Sequence, residues 1–303
     1  MTVTAFKVDE QHDHQRLDVY LTQVLAEAHS RTFIQKLIEY GHVRVNELIV
    51  KAHHKVITGD DIHIEIPKNI LTPQYVKPEN IPLEIFYEDD FLLVVNKPTG
   101  MMVHPAQGCY SGTLVNALLH HSVQLSTVNT EMRPGIVHRL DKETSGLLLV
   151  AKDNITHTKL AKQFQRHTIK KQYIALVEGF IEFDEGVVNS PIGRHPTQRE
   201  KKAVQFTDEA RDSETMYRVL KRHNGVTLVA LFPKTGRTHQ LRVHMAYLGH
   251  PILGDSKYGR KTSFSRLALH AQSIGFSHPH TKKFLEFSLK PPKEFLSLVS
   301  VVS

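Results

Sequence analysis

Apolar positions in this chain follow two periods, one near 3.6 residues and one of 2. In "RLDVYLTQVLAE" (16–27), Leu17, Tyr20, Leu21, Val24 and Leu25 recur at helical spacing. "SRTFIQKLIEYG" (30–41) repeats the pattern with Phe33, Ile34, Leu37 and Ile38, and Ser30 reads as its N-cap and Gly41 as its stop. Period 2 takes over in "HVRVN" and "DIHIEIP", with "TGDD" a turn before the second. Residues 1–66 are thus expected to form a compact ααββ unit. Residues 67–82, "PKNILTPQYVKPENIP", hold Pro67, Pro73, Pro78 and Pro82 and read as a stiff linker. From residue 83 strands outnumber helices. "LEIFYEDDFLLVVNKP" predicts two strands around Glu88-Asp89-Asp90, "KKQYIALVEG" and "LALHAQSIGF" predict two more, and "SETMYRVLKRHNGVTLVALFP" predicts a hairpin turning at Asn224-Gly225. Helices are predicted in "TLVNALLHH", "NITHTKLAKQFQRH" and "RTHQLRVHMAYLG", the last with Leu241, Met245 and Leu248 on one face and Gly249 as its stop. Residues 83–303 are therefore expected to be α+β, with a largely antiparallel mixed sheet flanked by helices, preceded by the small α/β domain.

The stretch "IVHRLDKETSGLLLVAK" (136–152) puts a polar turn between two apolar runs, "IVHRL" and "GLLLVAK", which read as strands. Asp141 sits in that turn with Arg139 and Lys142 beside it. Asp and Ser are common turn residues for their own hydrogen bonding, and Gly146 supplies an unusual backbone angle. On local pattern, a turn former and a functional carboxylate both fit Asp141.

Charge enlarges the picture. With 38 Lys+Arg against 31 Asp+Glu the net charge is +7, and 21 His add to it in mild acid. Such a balance suits a polyanionic partner. Residues 1–66 run the other way, at a net −3, which leaves +10 for the rest. Arg31, Lys36, Arg44 and Lys51 nevertheless lie mid-unit while the acids crowd its ends. A cationic nucleic-acid face and an ordinary solvated face both fit. The single cysteine, Cys109, excludes an intrachain disulfide and suits a reducing compartment. There is no apolar signal core at the start and no membrane-length apolar run, so a cytoplasmic protein without a membrane partner is expected, and a monomer. No phosphate-cradling glycine loop and no C-x-x-C pair is present, so no cofactor is expected. His239 and His244 are five apart, off the i, i+4 face of a zinc helix, and no acidic cluster joins them; no metal is expected.

"HRLDKETSGLLLVAK" resembles the active-site signature of the RluA family of RNA pseudouridine synthases. Further matches accompany it. "LLVVNKPTGMMVHPAQG" resembles the strand and loop ahead of the catalytic region, and "RPGIVHRLD" is similar to the branch that modifies large-subunit ribosomal RNA (RluD-like). "KKQYIALVEG" resembles the tyrosine motif and "TGRTHQLRVHMAYLGHPILGD" the arginine motif. The first 66 residues resemble an S4-type RNA-binding domain. Most of the chain is covered.

The resemblance implies a reaction. A uridine N-glycosidic bond is broken, the uracil turns, and it is rejoined through carbon with no redox change and no group lost. The uridine must first leave its stack, at a few kcal/mol. Asp141 would begin the chemistry, either as a nucleophile on sugar or base or as a general base at the ribose; the sequence leaves both open. Burial under a base raises a carboxylate pKa, and a cation about 4 Å away, worth about 4 kcal/mol in an intermediate dielectric, opposes that rise. Arg242 is implied as that cation, with Arg237 the other candidate, and Leu241 as the apolar residue against the target base. Tyr173 would stack on uracil, worth about 1–3 kcal/mol, and its phenol is a candidate to help remove the last C5 proton. As a strand residue it also suits the core. Arg139 would fill the vacated space or hold flanking RNA, and "RHPTQREKK" (194–202) is a basic loop for phosphate. Arg31, Lys36, Arg44 and Lys51 would contact RNA from the N-terminal domain, and large-subunit ribosomal RNA is the implied partner. Lys234 stands where the family often has Glu, which changes the local charge. The alternative is a ribosome-assembly factor that binds RNA without catalysis; intact Asp141, Tyr173 and Arg242 argue against it.

Overall fold

The computed structural model describes residues 2–25, 31–66, 76–105, 110–122, 124–128, 133–198, 200–260 and 264–299. The chain divides into two compact units, Met1–Tyr75 and Val76–Ser303.

The first unit runs β1 (Thr2–Lys7), α1 (Leu17–Val24), α2 (Arg31–Glu39), β2 (Val43–Val45), β3 (Leu48–Ile49) and β4 (Asp61–Ile66). Its antiparallel sheet has the order β1-β4-β2-β3. The two helices and strands β2 and β4 lie where the periodicity put them; β1 and the two-residue β3 are additional. Leu17, Tyr20 and Leu21 of α1 meet Ile34, Leu37 and Ile38 of α2 over Val43, Val45, Ile62 and Ile64. Each such side chain contributes about 1.5–3 kcal/mol by leaving water. Asp18, fully buried on α1, ties the helices together by accepting from Arg16 (3.0 Å), Arg31 (2.9 Å) and Gln35 (2.6 Å). Burial pushes its carboxyl up, but those donors more than offset this and hold it well below the usual carboxylate range. Ser30, Cys109 and the side chains of Phe33 and Lys36 lie outside the described residues.

The second unit runs β5 (Glu84–Glu88), β6 (Leu92–Lys97), α3 (Leu114–His121), β7 (Ser145–Ala151), α4 (Asn154–Gln165), β8 (Lys170–Glu178), β9 (Glu185–Asn189), β10 (Ile192–Arg194), β11 (Lys202–Val204), β12 (Glu214–His223), β13 (Val226–Pro233), α5 (Gln240–Tyr247), β14 (Leu269–Ser277), β15 (Phe284–Ser288) and α6 (Lys293–Val299). The large sheet has the order β5-β6-β7-β14-β8-β13-β12-β9, with β15 on β14. Strands β7 and β14 pair in parallel and the other ladders are antiparallel, so the unit is α+β with a mixed, largely antiparallel sheet. Strands β6 and β7 are covered on both faces. Leu93, Val95, Leu148 and Val150 meet Leu114, Val115 and Leu118 of α3, while Leu92, Val94, Leu147 and Leu149 meet Leu160 of α4. That is why "LLVV" and "GLLLVA" are continuous apolar runs rather than alternating ones. The hairpin turns at Asn224 and Gly225, both with positive φ.

The run "IVHRL" is not a strand, contrary to its apolar pattern. One edge of β7 is fully paired with β6, and β14 takes the start of the other at Ser145 and Gly146. Residues 135–138 fill what remains. The Gly135 carbonyl accepts from the Ala151 amide (2.8 Å), Ile136 makes a single bridge to Val150, and His138 Nε2 accepts from the Leu149 amide (2.9 Å). A histidine ring thus takes a ladder position that a backbone carbonyl would hold in a strand. Of the Pro-rich stretch, 67–75 lie outside the described residues, and its later part is packed: Val76 is buried against α3, and Asn116 donates to the Lys77 carbonyl (2.8 Å). Among the described residues no helix is long and apolar enough to cross a membrane.

Candidate active site

Asp141 opens a turn, closed by the Thr144 amide on its carbonyl (3.1 Å), that leads directly into β7. The loop after β6 fixes this turn through its backbone. Lys97 is fully buried and its Nζ donates to the carbonyls of Pro98 (2.8 Å), Met101 (2.9 Å) and Lys142 (3.0 Å). Gly100 N also reaches the Lys142 carbonyl (3.0 Å), and Thr99 Oγ1 the Glu143 carbonyl (2.8 Å). Burial pushes the Lys97 ammonium down to about 8 against the pull of Glu143 and Asp141.

The carboxylate faces a cavity of about 110 Å³ lined by Arg139, Asp141, Lys171, Tyr173, Arg237, His239, Leu241 and Arg242, among others. That volume is several-fold the roughly 10–15 Å³ a cavity needs to admit one water. Arg242, buried on α5, donates from Nη1 to Asp141 Oδ2 (3.2 Å). Its other side is clamped by Asp255, with Nε to Oδ2 at 2.7 Å and Nη2 to Oδ1 at 2.8 Å. Asp255 is itself buried and accepts from the amides of Lys257 (2.9 Å) and Tyr258 (3.1 Å). The Tyr258 ring lies 5.2 Å from the guanidinium carbon. Burial disfavours the Asp255 charge, but Arg242 and the two amides hold its carboxyl below the usual range. Lys171 and Tyr173 project from the same face of β8, two residues apart. Burial raises the Tyr173 phenol above its ordinary range, and the Asp141 charge adds to the rise. Burial lowers Lys171 to about 8.

Asp141, Tyr173, Leu241 and Arg242, singled out in the sequence, therefore converge on one cavity. Arg139 sits exposed on its rim, close enough that its charge adds to burial in lowering His104 and Arg133. Arg237 also lines the cavity, with Nε on the Asp212 carbonyl (3.0 Å). The basic loop joins β10 to β11, and its Arg199 lies outside the described residues. Lys234 pairs with Glu214 at 3.1 Å. In the first unit Arg44 and Lys51 are exposed, whereas Arg31 is engaged by Asp18. His244 has both ring nitrogens occupied, by Thr215 Oγ1 (2.9 Å) and the Ser190 carbonyl (3.0 Å). Among the described residues no three His, Cys, Asp or Glu side chains form a metal-ligating group. Sequence reasoning missed Lys171, Asp255 and Tyr258, and weighed His239 only as a metal ligand. Lys171 was within reach by strand alternation from Tyr173, whereas "GDSKYG" looks like any polar turn.

A family profile described as RNA pseudouridylate synthase matches residues 91–247, and one described as S4 domain matches 15–62. An uncharacterized RNA pseudouridine synthase of Bacillus subtilis is 43% identical over 292 residues, spanning 96% of this chain and 95% of that protein. A protein named ribosomal large subunit pseudouridine synthase D in Nitrosomonas europaea is 41% identical, spanning 95% of this chain and 84% of its own. Among solved structures, human RNA pseudouridylate synthase domain containing 1 superposes with a TM-score of 0.60 at 28% identity, covering 73% of this chain and 88% of that one. A carboxylate and a guanidinium facing one cavity are common to many enzymes, but agreement of this extent is not: the chain belongs to the RNA pseudouridylate synthase family, an isomerase that converts uridine to pseudouridine in RNA, with an S4 domain near its N-terminus.

Proposed function

We propose that the substrate is a uridine of large-subunit ribosomal RNA, turned out of its stack into the cavity beside Asp141. The observation that carries this reading is the carboxylate of Asp141, held at the cavity by Arg242 at 3.2 Å and neighboured by Tyr173. The relatives named for the large ribosomal subunit support the choice of RNA. Flipping costs a few kcal/mol. Stacking on Tyr173 and packing against Leu241 return part of it, and Arg139 on the rim occupies the space left behind. Asp141 then begins the chemistry, as a nucleophile on sugar or base or as a general base at the ribose, and the uracil reattaches through C5. Tyr173 serves as the stacking face. Its phenol, pushed up by burial and by Asp141, stays protonated and is unsuited to take the last proton. Exposed Arg44 and Lys51 of the first unit contact phosphates.

Replacing Asp141 with Asn tests the reading. Pseudouridine formation is expected to vanish while RNA affinity stays within several-fold, because the docking charges remain. Mapping pseudouridines in cellular RNA with and without the protein identifies the site. Undiminished turnover in Asp141→Asn, or loss of a site outside ribosomal RNA alone, would overturn it.

A further inference from the structure

His239 is a cavity residue that the reaction as described leaves idle, and its surroundings are unusual. It precedes α5 with φ +58° and ψ +17°. That left-handed backbone costs a non-glycine residue about 1–3 kcal/mol and persists where neighbours enforce it. Its ring lines the cavity, and Nε2 lies 3.9 Å from Asp141 Oδ2, too far for a hydrogen bond. A chain of partners favours one tautomer. The Lys202 amide donates to the Tyr258 hydroxyl oxygen (2.8 Å), and that oxygen is 2.7 Å from His239 Nδ1. With one lone pair of that oxygen already engaged, the arrangement suits a phenolic hydrogen directed at Nδ1, which leaves the ring proton on Nε2 facing the cavity. Burial keeps the ring neutral, holding it below the usual histidine range although Asp141 pulls the other way.

We propose that His239 is a further catalytic residue: its Nε2–H donates a hydrogen bond to the O2 carbonyl of the target uracil as the base leaves the sugar as an anion. This rests on the cavity being the uridine site. The charge balance is the same in both routes by which Asp141 acts on the sugar. The C1′–N1 bond breaks and its electron pair leaves with uracil, whose negative charge spreads over N1, O2 and O4. If Asp141 attacks, a carboxylate oxygen bonds C1′ and becomes a neutral ester. If Asp141 is the base, it takes the C2′ proton, the C2′–H pair becomes the C1′=C2′ bond, and the carboxylate becomes a neutral acid. Either way one negative charge moves from Asp141 to uracil, and no proton leaves His239. O2 is the carbonyl nearer C1′, the region Asp141 must reach, whereas O4 lies across the ring. A donor beside the carboxylate but not bonded to it gains most when the charge departs, which is the condition for catalysis rather than mere binding.

The test is a four-cornered cycle of single-turnover rates. Wild type and His239→Asn are compared on an RNA that the wild type modifies, carrying uridine or 2-thiouridine at the target. Asn tolerates the left-handed backbone, so the fold is kept, and melting temperature and RNA affinity verify this. The variant is expected to slow uridine isomerisation about 10²–10³-fold, as loss of one oxyanion donor does. With 2-thiouridine, whose sulfur accepts weakly, the penalty is expected to shrink to a few-fold. Tyr258→Phe, which frees the tautomer, is expected to show a smaller loss with the same pattern. An undiminished penalty on 2-thiouridine overturns the assignment, as does a penalty that disappears only when the target lacks its 2′-hydroxyl. A wild type that turns over no uridine RNA at all sinks the reading of the cavity instead.

Discussion

Arg242 carries two carboxylates at once, and they do different work. Asp255 takes Nε and Nη2 at 2.7 and 2.8 Å in a buried fork, leaving Nη1 for Asp141 at 3.2 Å. The guanidinium charge is thus matched inside the protein before any substrate arrives, and Asp141 meets a fixed donor rather than a free cation. Asp255→Asn breaks the buried fork and leaves the guanidinium to the longer contact with Asp141, so a loss of about 3–5 kcal/mol is expected in denaturant unfolding. Replacing both partners with apolar residues of similar volume, Arg242→Met with Asp255→Leu, is expected to recover much of that stability while activity stays lost. Equal stability in the single and double variants would show that the fork matters little. Arg242 was legible because its neighbours form a motif. Asp255, 13 residues later in a polar turn, had no signal of its own; only the fold brings it under the guanidinium.

Among elements, β7 sets the site through a single glycine. Gly146 has φ +112°, and a Cβ there would lie 2.2 Å from the Ala271 carbonyl oxygen of β14. Ala271 pairs in turn with Tyr173 on β8. A side chain at Gly146 therefore pushes apart the strands that set Asp141 and Tyr173 in place. Gly146→Ala is expected to cost at least about 3 kcal/mol, the upper end for overpacking, and to remove activity. Gly225→Ala is the matched control, since φ is +74° but nothing lies within 4 Å. About 1–2 kcal/mol of left-handed strain and normal turnover are expected there, read by melting and pseudouridine yield. The same strand explains what the pattern could and could not tell. The helices and hairpin were legible because period and turn chemistry are local. Whether "IVHRL" joins the sheet depends on which edge of β7 is already taken by strands far along the chain, and "IVHRL" cannot report that. The short β9, β10 and β11 and the edge strand β15 lack long apolar runs and likewise emerge only from pairing.

For the whole molecule, the histidines decide how acid acts. Burial holds four of them in the second unit well below the ordinary value near 6.5: His138 at about 3, and His104, His157 and His270 at about 4. Each is neutral when folded at neutral pH and gains a proton more readily when unfolded. Below pH 6.5 the unfolded chain therefore binds more protons, and stability falls as pH drops towards about 4, whereas above 6.5 these groups contribute no slope. Over the window from pH 6.5 to 4 each such group can remove up to about 3 kcal/mol of stability. Four such groups are comparable to the whole stability of an ordinary domain, about 5–15 kcal/mol. Carboxylates held low, such as Asp255 and Asp89, lose their contribution only below their usual range, so the window from pH 6.5 to 4 belongs to the histidines. His138 has a further consequence. Its Nε2 accepts the Leu149 amide, so protonation breaks the bond that anchors the segment leading to Asp141. Urea unfolding measured from pH 7.5 to 4.5 is expected to show stability falling throughout the acid half, with activity lost alongside. His138→Gln, whose carbonyl can accept the same amide without titrating, is expected to flatten that slope; a variant as acid-sensitive as the wild type would acquit His138.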